Sequence, residues 1–159
     1  MRPAALITGA STGIGGVYSD RFARRGHDLV LVARNVDRMT TLAGRRRSET
    51  SVNVDVVPAD LTEEQDLARV EQRLREDARI GVQINNAGTA IPRKDFIEQS
   101  GADISRLIAL NVTALNRSAA LKIDSTPFDL RRLSLSRHVA FRAPHPVVPG
   151  RSKIRQLTL

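Results

Sequence analysis

The chain has 159 residues, a formal net charge of +8, 3% aromatic residues and no cysteine. Its length allows one domain with a packed core, while the lack of cysteine excludes disulfides and thiolate chemistry and fits a reducing cytoplasm. No leader-like pattern follows Met1 and no apolar run reaches the ~18 residues of a membrane span, so a soluble, cytoplasmic protein with no membrane partner is expected.

The apolar run 4–8 reads as a strand buried on both faces of a parallel sheet. It leads into Thr8-Gly9-Ala10-Ser11-Thr12-Gly13-Ile14-Gly15, a glycine-rich turn set directly ahead of a helical pattern. Such a turn cradles a phosphate: glycine lets the backbone come close to an anion, and the helix turns its unpaired N–H groups toward it. Gly9, Ser11, Thr12, Gly13, Ile14 and Gly15 are therefore candidates to hold a pyrophosphate, with a merely flexible loop as the alternative. The helix expected over 14–25 places Ile14, Val17, Tyr18 and Phe22 at helical spacing and ends at Gly26, a natural left-handed cap.

A second buried strand over 29–33 ends about 20 residues beyond the turn, where a dinucleotide ribose is met. Ala33 stands there in place of an acid that would bind a free 2′-hydroxyl. Arg34 follows with a guanidinium fork suited to a 2′-phosphate, which favours NADP over NAD unless Arg34 is only a solvated loop charge. A helix over 37–47 ends in Arg45, Arg46 and Arg47, read as a solvated helix end. A third strand over 52–57 precedes Asp60 and Leu61. On residue type alone Asp60 is a turn residue ahead of a helix over 63–78, capped by Thr62, with Leu67, Val70 and Leu74 on its buried face. A fourth strand over 81–84 carries the polar Gln83 and ends at Asn85-Asn86-Ala87-Gly88. The stretch 96–115 reads as a loop entering a long helix. Alternating strands and helices predict an α/β fold with a doubly wound parallel sheet.

TGASTGIG and NNAG, with strand-helix units of fitting length between them, resemble the short-chain dehydrogenase/reductase (SDR) family across residues 4 to about 116. The resemblance implies a Rossmann-like sheet and hydride transfer between NADP(H) and a small carbonyl or alcohol, with no metal. It further implies that Asp60 and Leu61 lie along the adenine and that Asn86, Ala87 and Gly88 sit near the neighbouring ribose. Asn111, within Leu110-Asn111-Val112-Thr113-Ala114, would be the asparagine that helps hold a water in the proton relay. The helix around Asn111 would mediate a homo-oligomer.

Catalysis in that family needs a tyrosine, a lysine four residues later and a serine about 13 residues earlier. The single tyrosine, Tyr18, lies in the wrong helix. Ser136 and Lys153 keep the two spacings around position 149, but Pro149 stands where tyrosine is expected, and proline has no proton to give. Ser136 and Lys153 are thus remnant catalytic candidates, or else an ordinary strand serine and a solvated lysine. The family runs to about 250 residues, so a truncated chain, incomplete on the C-terminal side of the sheet, is expected. Residues 1–116 carry 16 Lys/Arg against 15 Asp/Glu, whereas 117–159 carry 9 against 2. This divides the chain into a dinucleotide-binding core, 1–116, and a divergent basic segment, 117–159, in which Leu130, Leu133 and Leu135 suggest a fifth strand. Prolines interrupt that segment and it lacks an aromatic stacking set or a helix-turn-helix pattern, which argues against nucleic acid as a partner. Three functional expectations follow: a weak or inactive SDR-type oxidoreductase, a non-catalytic NADP(H)-binding or interaction protein, or a partly folded product.

Overall fold

The computed structural model describes residues 2–90, 99–123 and 134–136. Five parallel strands, β1 (Ala4–Thr8), β2 (Asp28–Ala33), β3 (Val54–Pro58), β4 (Ile80–Asn85) and β5 (Ser134–Ser136), form one sheet in the order β3-β2-β1-β4-β5. The helices are α1 (Gly13–Arg24), α2 (Val36–Thr50), α3 (Glu64–Glu76), α4 (Gly101–Ile108) and α5 (Leu115–Ile123), and a wider π-turn segment, Ala109–Ala114, joins the last two. This is the doubly wound, Rossmann-like α/β architecture. Its connections step outward from β1 to β3 and then return to place β4 on the other side of β1, which opens a crevice between β1 and β4 at the carboxyl ends of the strands.

The central strands β1 and β2 read as nearly continuous apolar runs because helices cover both faces of the sheet. Ala4 and Leu6 of β1 point to one face, where Leu67, Val70 and Leu74 of α3 and Ala114 complete a core. Ala5 and Ile7 point to the other, against Ala23 of α1 and Met39 and Ala43 of α2. Between β1 and β4 the register shifts by one residue, Ala4 pairing with Ile80 and Ala5 with Val82, so Gly81 forms a bulge. Gln83 of β4 is buried; its Nε2 donates to Asn85 Oδ1 at 3.0 Å, while its Oε1 has no partner among the described residues.

Three details differ from expectation. The buried stripe of α1 is Gly15, Ser19 and Ala23, while Ile14 and Val17 are about half exposed, because the crossing over β1 is too close for large side chains. Tyr18 and Phe22 pack at the edge of that core. Arg46 is not solvated: its side chain is only 7% exposed, and its Nη1 reaches Asp20 at 3.1 Å and Glu49 at 2.9 Å, bolting α2 to α1. Thr62 does not cap α3; its hydroxyl and amide both turn back to Asp60 Oδ1, and Glu63 occupies the cap position without a side-chain bond.

Other helix ends follow local chemistry. Asn35 Oδ1 accepts from Arg38 N at 2.9 Å to cap α2, and Ser100 Oγ accepts from Asp103 N at 3.1 Å to cap α4. Gly26 ends α1 with φ of 79°. The compositional break at Arg117 falls inside α5, where the Arg117 guanidinium pairs with Glu64 at 2.6 Å and with the buried Glu71 at 2.6 Å, fastening α5 to α3. Leu135 lies in β5, whereas Leu130 and Leu133 lie outside the described residues.

Candidate functional site

The residues 9–15 turn and the residues 85–88 turn meet side by side because β1 and β4 are neighbours. Thr8 Oγ1 is their hub: it accepts from the amides of Asn86 at 3.1 Å and Ala87 at 3.0 Å and is 3.3 Å from the Ile84 carbonyl, to which it donates. Asn86 returns the link, its Nδ2 donating to the carbonyls of Thr8 and Gly9 at 3.2 Å each. These bonds fix which end of the Asn86 amide faces the turn, and they leave its buried Oδ1 without a partner among the described residues.

The glycines divide their work. A Cβ on Gly9, which holds φ of 65°, would sit 2.8 Å from Ala87 Cα; one on Gly15 would sit 2.3 Å from the Gly9 carbonyl oxygen. Both are therefore required for chain to pass chain. Gly13 has φ of 56° with nothing within 4 Å of its missing Cβ, so it serves the left-handed turn and leaves the crevice side open. Thr12 precedes α1 in extended conformation with no side-chain cap, and the first turn has no acidic residue. The first amides of α1 are thus left to an external acceptor, and the helix dipole favours an anionic one.

The resulting crevice is about 500 Å³. At one end lie Gly9, Ser11, Thr12, Gly13 and Ile14; Val32, Ala33, Ala59 and Leu61 supply apolar wall; Asn86, Ala87, Gly88 and Leu110 line the β4 side. At the β2 end stand Arg34, Asn35 and Arg38, with Asp60 opposite. The donors suit an elongated ligand with one phosphate at the helix end and another at the arginines. Arg38 was not among the expected residues; it reaches the crevice because α2 starts at Val36 and so places Arg38 in its first turn beside Arg34 and Asn35.

Asp60 is held firmly. Its amide donates to Asp66 Oδ2 at 2.7 Å, and its Oδ1 accepts the Thr62 hydroxyl at 2.7 Å and amide at 3.0 Å. Oδ2 faces Arg106 Nη2 at 3.2 Å and Arg34 Nη1 at 3.5 Å. Partial burial works against its charge, but the two Thr62 bonds and the guanidiniums prevail, and the carboxyl stays below its ordinary value.

Among the candidates for proton transfer, Asn111 lies in the π-turn segment beside the residues after β4. Its Oδ1 accepts from Thr89 N at 2.9 Å and its Nδ2 donates to Thr89 O at 2.7 Å, so the amide clamps the strand exit. β5 places the Ser136 backbone beside Asn85. Pro149 and Lys153 lie outside the described residues. Among the described residues no helix is long and apolar enough to cross a membrane, and no group of three or more His, Asp or Glu is placed to hold a metal.

Comparison with known proteins agrees with this geometry. The chain is 60% identical to a short-chain dehydrogenase from Sphingobium yanoikuyae solved in complex with NADPH, with a TM-score of 0.73 over 75% of this chain and 46% of that one. It is 57% identical to the bulky-bulky ketone specific alcohol dehydrogenase from Comamonas testosteroni, with a TM-score of 0.73 over 75% of this chain and 47% of that one. Mouse (Mus musculus) 17-beta-hydroxysteroid dehydrogenase type 3 is 34% identical over 120 residues, which are 74% of this chain and 38% of the mouse protein. The chain therefore spans less than half the length of these relatives. A family model described as short chain dehydrogenase matches residues 3–124, and with the β1/β4 crevice and its glycine turn this establishes that the chain belongs to the short chain dehydrogenase family.

Proposed function

We propose that this chain binds NADP(H) in the crevice and derives from an oxidoreductase of carbonyls and alcohols whose proton-transfer end is impaired. The observation that carries the reading is the crevice itself: a bare helix N-terminus at one end and Arg34 with Arg38 at the other. The backbone of Ser11 to Gly15, approached closely at Gly9 and Gly13, holds the pyrophosphate. Arg34, joined by Arg38, holds the 2′-phosphate and makes NAD the poorer ligand. Asp60 faces the adenine amine with Leu61 against the ring, and Asn86, Ala87 and Gly88 border the adjoining ribose. When bound, the reduced cofactor would supply a hydride to a substrate's carbonyl carbon, and the oxidised cofactor would accept one from an alcohol's carbinol carbon.

Asn111 positions the strand exit through Thr89. Ser136 would orient the carbonyl and Lys153 would serve the proton donor, but position 149 is proline. A positioned acid or base contributes about 10²- to 10⁴-fold to rate, so turnover falls by that order. Pro149 equally favours a second reading, a non-catalytic NADP(H)-binding or interaction protein. The core 1–116 is the binding unit, and the basic segment 117–159 begins on the Arg117 anchor. The α4 to α5 helix, with Ile108 and Val112 about half exposed, is the surface for a homo-oligomer. The lack of cysteine suits a cytoplasmic setting.

Fluorescence titration tests the binding reading: saturable binding with NADPH tighter than NADH is expected, and no binding at millimolar cofactor would defeat it. Pro149→Tyr tests the chemistry. A rise in ketone reduction at unchanged NADPH affinity is expected, and a flat assay with binding intact would show that proline is not the cause of low turnover.

A further inference from the structure

Asp60 Oδ2 is shared by two guanidiniums. Oδ1 is fully engaged by Thr62, and the backbone is pinned by Asp66, so the carboxylate cannot turn away. Arg106, from α4, and Arg34, from the end of β2, both address Oδ2, at 3.2 and 3.5 Å. The two guanidiniums differ in what else they face. Arg34 lines the crevice, whereas Arg106 is not part of its lining. A dianion taken by Arg34 necessarily comes near the Asp60 carboxylate, since the same guanidinium touches both. The repulsion between them falls most heavily on a phosphate held by Arg34, the group that shares that guanidinium with Asp60.

We propose that Arg106 is a positioning residue for cofactor selectivity: by neutralising Asp60 from outside the crevice, it frees Arg34 for the 2′-phosphate and screens that phosphate from the carboxylate. The assignment rests on the NADP(H) reading of the crevice. It links cofactor choice to α4, an element 46 residues from Asp60 in the chain. Local sequence carries no trace of the pairing.

The test measures dissociation constants of the full chain for 2′,5′-ADP and 5′-AMP, and for NADPH and NADH, by calorimetry. Within each pair the ligands share an adenine, so any effect on the ring cancels in the ratio. Arg106→Gln is expected to weaken 2′,5′-ADP and NADPH about tenfold, the effect of one uncompensated charge at a partly screened site, and to leave 5′-AMP and NADH within about twofold. Arg106→Lys retains the charge and is expected to recover most of the loss. In an Asp60→Asn background, Arg106→Gln is expected to change the NADPH to NADH ratio little, because no carboxylate is left to neutralise.

Equal weakening of both members of each pair would overturn the proposal in favour of a role in docking α4. The same selective loss in the Asp60→Asn background would overturn it in favour of a direct action on the phosphate. An unchanged ratio in Arg106→Gln, with the wild type still preferring NADPH, would overturn it while sparing the binding reading. Failure of the wild type to bind either dinucleotide would defeat both.

Discussion

Replacement of either of two adjacent glycines by alanine adds the same methyl group one residue apart, and the structure predicts opposite outcomes. At Gly15 the new Cβ would lie 2.3 Å from the Gly9 carbonyl oxygen, 2.9 Å from the Gly9 carbonyl carbon and 2.7 Å from Asn86 Nδ2. Two of the three are backbone atoms of the turn, and the third is a side chain tied to two carbonyls. Relief to ordinary contact needs a displacement of about 1 Å between α1 and the turn, an overpacking that costs about 1–3 kcal/mol. At Gly16 the nearest atom is the Ala10 carbonyl oxygen at 3.9 Å, an ordinary contact. Alanine there gains up to about 1 kcal/mol from helix propensity.

Both positions lie in α1, so that gain is common to the two and they should differ by the overpacking cost, about 1–3 kcal/mol, or about 2–12 °C in melting temperature for a chain of this size. Urea unfolding and thermal melts measure the difference. NADPH titration adds a second readout, because displacing α1 moves the uncapped amides to which the pyrophosphate is assigned on the proposed reading. Gly15→Ala is expected to bind more weakly and Gly16→Ala as wild type. If the two variants unfold within about 0.5 kcal/mol of each other, the close approach of α1 to the Gly9 turn does not exist as described.

Two further predictions concern stability. Thr8→Val strips the amides of Asn86 and Ala87 of a shared acceptor and is expected to cost about 2–4 kcal/mol in urea unfolding, whereas Thr8→Ser, which keeps the oxygen, stays within about 1 kcal/mol of wild type; equal stability of the pair would remove Thr8 from the link. Asp77 accepts side-chain hydrogen bonds from Arg79, which outweigh its burial and hold its pKa at about 2 against 3.8. A depressed folded-state pKa means that the stabilisation is complete above about pH 4 and is lost as the pH falls toward 2. Asp77→Asn should thus lower stability by about 2 kcal/mol at pH 7 and by little at pH 2; a pH-independent difference would contradict this assignment.

Much of the architecture was legible because its causes are local. Apolar runs specify β1 and β2, alternation specifies β3, a short run broken by Gln83 specifies β4, and helical periods specify the helices between them. The orientation of α1 was not legible, since small residues mark close contact only once the crossing is known: Gly15, Ser19 and Ala23 are buried beneath a more hydrophobic, exposed pair, Ile14 and Val17. Arg46 misleads for a similar reason. Its partners Asp20 and Glu49 sit on two helices, and nothing near residue 46 announces Asp20. The glycine turn and Arg34 that line the crevice were readable from the sequence, while Arg38 needed the observation that α2 starts at Val36. Thr8 escaped notice because a threonine ending a strand is commonplace, and only the pairing of β1 with β4 gives its hydroxyl two amides to receive.

The two motifs that identify the family are physically one object. Gly9 and Gly15 are small so that the turn and α1 can close on Asn86, and Asn86 in turn bridges the carbonyls that a larger residue would push apart. Either motif without the other leaves a void or a clash. The cradle draws its described contacts from residues 8–15, 84–87 and the helix ends beside them, far in the chain from position 149. On the proposed reading, binding and proton transfer draw on separate stretches of chain, and their separation is itself a prediction. Variants of Thr8, Gly15 or Asn86 should lose affinity and stability together, whereas Pro149→Tyr should move turnover and leave the NADPH dissociation constant where it was. A tyrosine variant that binds NADPH tenfold more tightly or weakly than wild type would break that separation and place position 149 within the cradle.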